Sequence, residues 1–173
     1  MRVVSRCALA LALVLALGGN GYPGLASAKP TAGNSAALSD LRASDVRVLS
    51  VGFRLAIANA PYCRVTENAA GLTLHHIAQY PDAVAAKASF GFASDFAVLA
   101  LVATGPAAQA GLRTDDAVVS LNGAPLAPPP AELAAIDQPA AYRPMAWADA
   151  RLRAALDAGP AMLGVLRDGA PVD

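Results

Sequence analysis

The spacing of apolar residues changes several times along the chain, and each change predicts a different element. Residues 7–18 are almost unbroken apolar. Over residues 39–59, apolar or small side chains recur at Leu41, Val48, Leu49, Gly52, Phe53, Ala56 and Ile57, while Arg42, Arg47, Ser50 and Arg54 lie largely off that face. This is the spacing of an amphipathic helix, with Ser39 as the expected N-cap and Pro61 as the stop. Val46, Val51 and Leu55 widen the apolar arc, so both sides of the helix are expected to be partly covered. Such a helix either packs on its own domain or docks a partner or a second copy.

Residues 63–70 read as a connector. Residues 71–80 (GLTLHHIAQY) are rich in β-formers and read as a strand opening on a glycine. A short helix is expected over 81–90 after Pro81, then a turn over 91–95. Residues 96–103 (FAVLALVA) are apolar throughout and predict a buried central strand. The segment 104–126, TGPAAQAGLRTDDAVVSLNGAPL, reads as a one-turn helix started by Pro106 and ended near Gly111, a turn at Thr114-Asp115-Asp116, a strand at Val118, Val119 and Leu121, and a turn at Asn122-Gly123. The insert 127–140, with its APPPAE core, is expected to be extended and solvated. Residues 142–158 predict a helix with Met145, Ala148, Leu152, Ala155 and Leu156 on its apolar face and Gly159-Pro160 at its end. A last strand is expected over 162–166, with Asp168-Gly169 as a hairpin turn.

The segment 104–126 resembles the middle of a PDZ domain of the bacterial HtrA/protease-associated, circularly permuted type, whose pattern is SPAAxAGLxxGDxIxxINGxxv. The resemblance extends, more weakly, to Ala70-Gly71-Leu72, which stand where that family carries its carboxylate-binding loop. The chain departs from the pattern at Asp115-Asp116, where Gly-Asp is usual, and in the insert 127–140. The resemblance implies an α+β fold: a PDZ-like small curved antiparallel sheet or partial barrel with two flanking helices, preceded here by one N-terminal helix. It divides the chain into residues 1–28, 29–66 (linker and N-terminal helix) and 67–173 (PDZ-like domain, its closing strand incomplete at Asp173).

Charge and cysteine content sharpen this picture. Arg2 and Arg6, the apolar run, and Ala26-Ser27-Ala28 form the three parts of a signal peptide, with cleavage expected between Ala28 and Lys29 and a mobile linker over 29–36. The apolar run is short for a membrane span, and Cys7 is too early and wrongly flanked to carry a lipid. The leader holds two of the 13 basic residues and none of the 13 acidic ones, so the mature chain carries 11 basic against 13 acidic groups, −2. No basic patch points to nucleic acid, and no later stretch reaches spanning length. The mature protein is expected to be periplasmic or secreted. Cys63 is then its single cysteine, expected either as a buried thiol or with a partner on another chain or segment.

His75 and His76 are adjacent on a strand and so point to opposite faces, which argues against their sharing a metal ion. No HExxH, nucleophile elbow or ordered Ser/His/Asp motif is present. The chain is therefore expected to be non-enzymatic by itself and to need no cofactor. The resemblance implies a peptide-binding module for protein C-termini or extended segments, acting by strand addition as a regulatory or substrate-presenting part of a proteolytic system. Its backbone contacts would come from Gly71, Leu72, Thr73 and Leu74, with Ala148 and Leu152 on the opposite wall and Met145 and Trp147 as possible pocket residues. Two alternatives follow from the same residues. One is the N-terminal part of a secreted PDZ-containing zinc metallopeptidase, with a protease domain or partner chain beyond. The other is a structural PDZ-like domain whose groove is filled by residues 38–59.

Overall fold

The computed structural model describes residues 3–5 and 33–172. In order these form β1 (Val3–Ser5), α1 (Gly33–Asn59), β2 (Thr66–Asn68), β3 (Leu72–His76), α2 (Ala83–Phe90), β4 (Phe96–Leu101), α3 (Pro106–Gln109), β5 (Ala117–Leu121), β6 (Ala124–Pro125), α4 (Pro130–Ala134), α5 (Arg143–Ala158), β7 (Leu163–Arg167) and β8 (Ala170–Pro171). The protein is α+β. Its main sheet is antiparallel and open, in the order β3-β4-β5-β7-β8, with β6 paired to β5. A separate ladder pairs β1 with β2. The rest of residues 1–28, over which a signal peptide was expected, including Cys7 and the Ala28–Lys29 bond, lies outside the described residues.

The unbroken apolar run of β4 has a simple cause: both faces of the strand are covered. Phe96 and Val98 join Val118, Leu121 and Val165 against Trp147, Ala148 and Leu152 of α5. Ala97, pointing the other way, packs with Ala86 and Phe90 of α2 and with Phe92, flanked by Leu38, Ile77 and Tyr80. The sheet is therefore a middle layer, with α5 on one face and α1 with α2 on the other.

Several sequence expectations are corrected by these contacts. Helix α1 starts at Gly33, so Ser39 lies inside it rather than capping it, and residues 33–36 are helix rather than linker. Its inward face carries Leu38, Arg42, Val46, Leu49 and Phe53, whereas Leu41 and Val48 are 55% and 73% exposed. The apolar arc was wide enough to allow either rotation. Burial of Arg42 decides it: this residue donates a 2.9 Å hydrogen bond to the Asp115 carboxylate, forms an ion pair with it, and lies 4.4 Å from the Phe90 ring centroid.

The strand expected over 71–80 stops at His76, because the His76 ring accepts from the Ala78 amide (3.0 Å) while its own amide donates to Gln79 (2.8 Å), closing a one-turn helix. The two histidines do point to opposite faces, yet both are buried, at 1% and 8% exposure. His75 sits among Tyr80, Phe90 and Phe92, and His76 against Phe96.

The insert is not solvated throughout. Pro130 begins α4, Leu133 and Ile136 pack on the core, and Glu132 accepts a 2.6 Å hydrogen bond from the indole of Trp147. Cys63 is disulfide-bonded rather than a free thiol. The hairpin at Asp168-Gly169 forms with φ of 52° and 79°, and β8 pairs back onto β7.

Candidate functional site

The site is built around the entry to β3. Gly71 has a φ of 70°, a conformation that disfavours any side chain. Space is tight as well: a Cβ there would lie 3.3 Å from the Gly105 Cα, 3.3 Å from Phe53 Cε2 and 3.4 Å from Val102 Cβ, so these neighbours would have to give way slightly. The neighbouring carbonyls are both engaged on one side. Ala107 N–H donates to the Ala70 carbonyl and Val102 N–H to that of Gly71, each at 2.8 Å. All described peptide bonds are trans, so each following N–H points opposite to its carbonyl. The amides of Gly71 and Leu72 are thereby both turned away from these partners. Two successive donors presented together make an anion-binding concavity.

A cleft of about 540 Å³ opens beside these amides. Gly71, Leu72 and Thr73 form one wall, and Asp149, Leu152, Arg153 and Leu156 of α5 the other. Helix α1 contributes a third flank through Leu49, Gly52, Phe53 and Ala56. An apolar cavity of about 450 Å³ shares Ala70, Leu72, Leu152 and Leu156 with the cleft and continues past Ala107 and Leu112 to Val165. Asn68 ties the walls together, its side-chain amide donating 3.0 Å to the Leu156 carbonyl. β3 is the terminal strand of the sheet, so the cleft runs along an edge.

The structure brings together Gly71, Leu72, Thr73 and Leu152 from the sequence-based expectation. It places Leu74 (5% exposed) and Ala148 (1% exposed) in the core, with Trp147. The α5 wall is therefore Asp149, Leu152, Arg153 and Leu156, one helical stripe further round. Asp149 and Arg153 form an exposed ion pair at 2.8 Å across one turn. Asn68 was missed, and α1 was expected at the groove only in the alternative in which residues 38–59 fill it. Asn68 had no pattern to mark it, while the α1 flank depends on how the helix is rotated.

The turn that supports the site is held by charge. Asp115 adopts a φ of 69° and receives Arg42. Asp116, buried, accepts both arms of Arg167 at 2.8 Å and the Arg113 amide at 2.8 Å. Burial pushes its carboxyl up, but the hydrogen bonds from Arg167 and the Arg113 amide outweigh this and hold it below the ordinary range. Among the described residues, no group of three or more His, Cys, Asp or Glu side chains could hold a metal ion. Among them, too, no helix is long and apolar enough to cross a membrane.

No protein-family model, curated protein or solved structure matches this chain.

Proposed function

We propose that the protein is a PDZ-like peptide-binding module that takes the C-terminus or an extended segment of another protein along the β3 edge. The observation that carries this reading is the pair of outward-turned amides at Gly71 and Leu72, set at the head of an apolar cleft between an edge strand and a helix. A C-terminal carboxylate would accept from the two amides, the peptide backbone would run beside β3, and an apolar last side chain would enter the cavity lined by Leu72, Leu152 and Leu156. The order of strands and helices from β3 to β7 supports the same reading, as does the fit of residues 104–126 to the PDZ pattern. The leader-like residues 1–28 support a periplasmic or secreted setting, in which the module would serve a proteolytic system. The protein is read as non-catalytic in itself.

The test is a titration of the isotope-labelled protein with peptides ending in an apolar residue, each with a free carboxylate and as the C-terminal amide. Saturable shifts at Gly71, Leu72 and Thr73, with affinity on the order of micromolar and at least about tenfold weaker for the amide, are expected. No saturable binding across a C-terminal peptide library sinks the proposal. It would favour the occluded reading, which the position of Leu49 and Phe53 along one flank of the cleft supports.

A further inference from the structure

Helix α1 has a second face that, among the described residues, the fold leaves uncovered. Its inward residues pack on the sheet and α2, and on the opposite side Leu41, Val48, Val51 and Leu55 are 45–73% exposed. Their positions follow a heptad. Leu41, Val48 and Leu55 are seven apart, and Ser44, Val51 and Ala58, also exposed, fall three residues after each. This is the 3.5-residue repeat of a helix–helix seam, about 25 Å long at 1.5 Å per residue.

We propose that this face is a self-association surface on which α1 of a second copy lies antiparallel. Two observations select that occupant and that direction. First, sizes complement one another. With the two-fold axis midway between residues 49 and 50, Leu41 faces Ala58 of the other copy, Val48 faces Val51, and Leu55 faces Ser44, so two of the three kinds of layer set a large side chain against a small one.

Second, the flanking charges suit antiparallel pairing. Asp40, Arg47 and Arg54 lie along one border of the seam, and Asp45, Gly52 and Asn59 along the other. Antiparallel pairing sets Asp40 against Arg54 twice and leaves one like-charge meeting, Arg47 with its own copy at the axis. Parallel pairing would set Asp40 against Asp45 twice and gain no opposite-charge pair. Among the described residues, Asp40, Arg47 and Arg54 have no ion-pair partner within the chain.

The arrangement is isologous and closes at two copies.

Sedimentation of the protein purified as the cell makes it, from about 5 to about 200 µM, is expected to show a monomer–dimer equilibrium in this range. Val48→Asp, at an exposed position the monomer fold does not need, should weaken it by at least about tenfold. Arg47→Ala should tighten it by removing the like-charge meeting. Cysteine cross-linking fixes the direction, because antiparallel pairing sets residue 41 beside residue 58 of the copy, whereas parallel pairing sets residue 41 beside its own copy. A mixture of Leu41→Cys and Ala58→Cys should therefore cross-link to one another on oxidation, and Leu41→Cys alone should not. A chain that is monomeric at every concentration, whatever else the face engages, overturns the proposal. So does a dimer indifferent to Val48→Asp, or one in which Leu41→Cys alone cross-links.

Discussion

Replacing Gly71 by alanine tests the reasoning about the site most directly, because two separate costs can be told apart. The first is conformational: a residue with a Cβ held at a φ of 70° costs roughly 1–2 kcal/mol. Gly91, at the end of α2, has a φ of 59° and nothing within 4 Å of its built Cβ. Gly91→Ala therefore carries the conformational cost alone. At Gly71 the new methyl would also press on the Gly105 backbone, Phe53 and Val102. Overpacking of this kind adds about 1–3 kcal/mol. Gly71→Ala should then lose roughly 2–5 kcal/mol and Gly91→Ala roughly 1–2 kcal/mol. In urea, with a slope of about 2 kcal/mol/M, the midpoint should fall by about 1–2.5 M for the first and about 0.5–1 M for the second. The binding readout separates them further. Gly91→Ala should take a C-terminal peptide as the parent does, whereas displacement of the 70–72 backbone should cost Gly71→Ala most of its affinity. Equal midpoints for the two variants would refute the crowding argument. Unchanged peptide affinity in folded Gly71→Ala would refute the placement of the carboxylate on these amides.

Three other outcomes are expected. Asp115→Gly relieves about 1 kcal/mol of backbone strain but deletes a partly exposed ion pair worth under about 1 kcal/mol, so unfolding should barely move; Arg42→Ala loses the pair and keeps the strain, and should be the less stable of the two by denaturation. His75 is held neutral, its pKa lowered from 6.5 to about 3 by burial first and then by Arg42 and His76. The unfolded chain takes up this proton below pH 6.5 and the folded chain does not, so stability should be intact above that pH and fall towards pH 3 by up to about 1.4 kcal/mol per unit; denaturation at pH 7 and 5 should show the loss, and His75→Gln should reduce it, an equal loss in both proteins speaking against the assignment. Trp147 is the single tryptophan, and its hydrogen bond, then that of Arg151, holds the Glu132 carboxyl below the ordinary range. Its fluorescence should therefore stay constant down to about pH 4.5 and change only below, with the acid step absent in Glu132→Gln.

The strands and helices that form the sheet layer were legible because their apolar residues face fixed neighbours. The run 96–103 announced a strand covered on both faces, and Asn122-Gly123 and Asp168-Gly169 announced their turns by chemistry that few other residues supply. Gly71 was legible for the same reason. What escaped depended on tertiary contacts with little local signal. The rotation of α1 is set by Arg42 reaching Asp115, 73 positions away. The α4 turn is hidden in a proline-rich stretch that reads as extended until Leu133 and Ile136 find the core. Ala148 and Leu152 share a face in sequence, but α5 sits close enough to the sheet to submerge the first and leave only the second at the cleft. His76 satisfies its polar ring through a local cap, so its burial leaves no trace in hydrophobicity.

The position of Pro171 has a consequence for how this sheet meets other chains. An open sheet has two borders, and each is a template on which foreign strands can grow. At one border β8 is two residues long and includes a proline, which has no amide hydrogen to offer. At the other, β3 runs for five residues beside the cleft that α5 walls. Growth is thus blunted at one border and, on the proposed reading of the cleft, filtered at the other. A segment that docks at β3 cannot be extended through the sheet into a second docking event at β8, so each molecule is expected to terminate strand addition after a single guest instead of seeding a fibre.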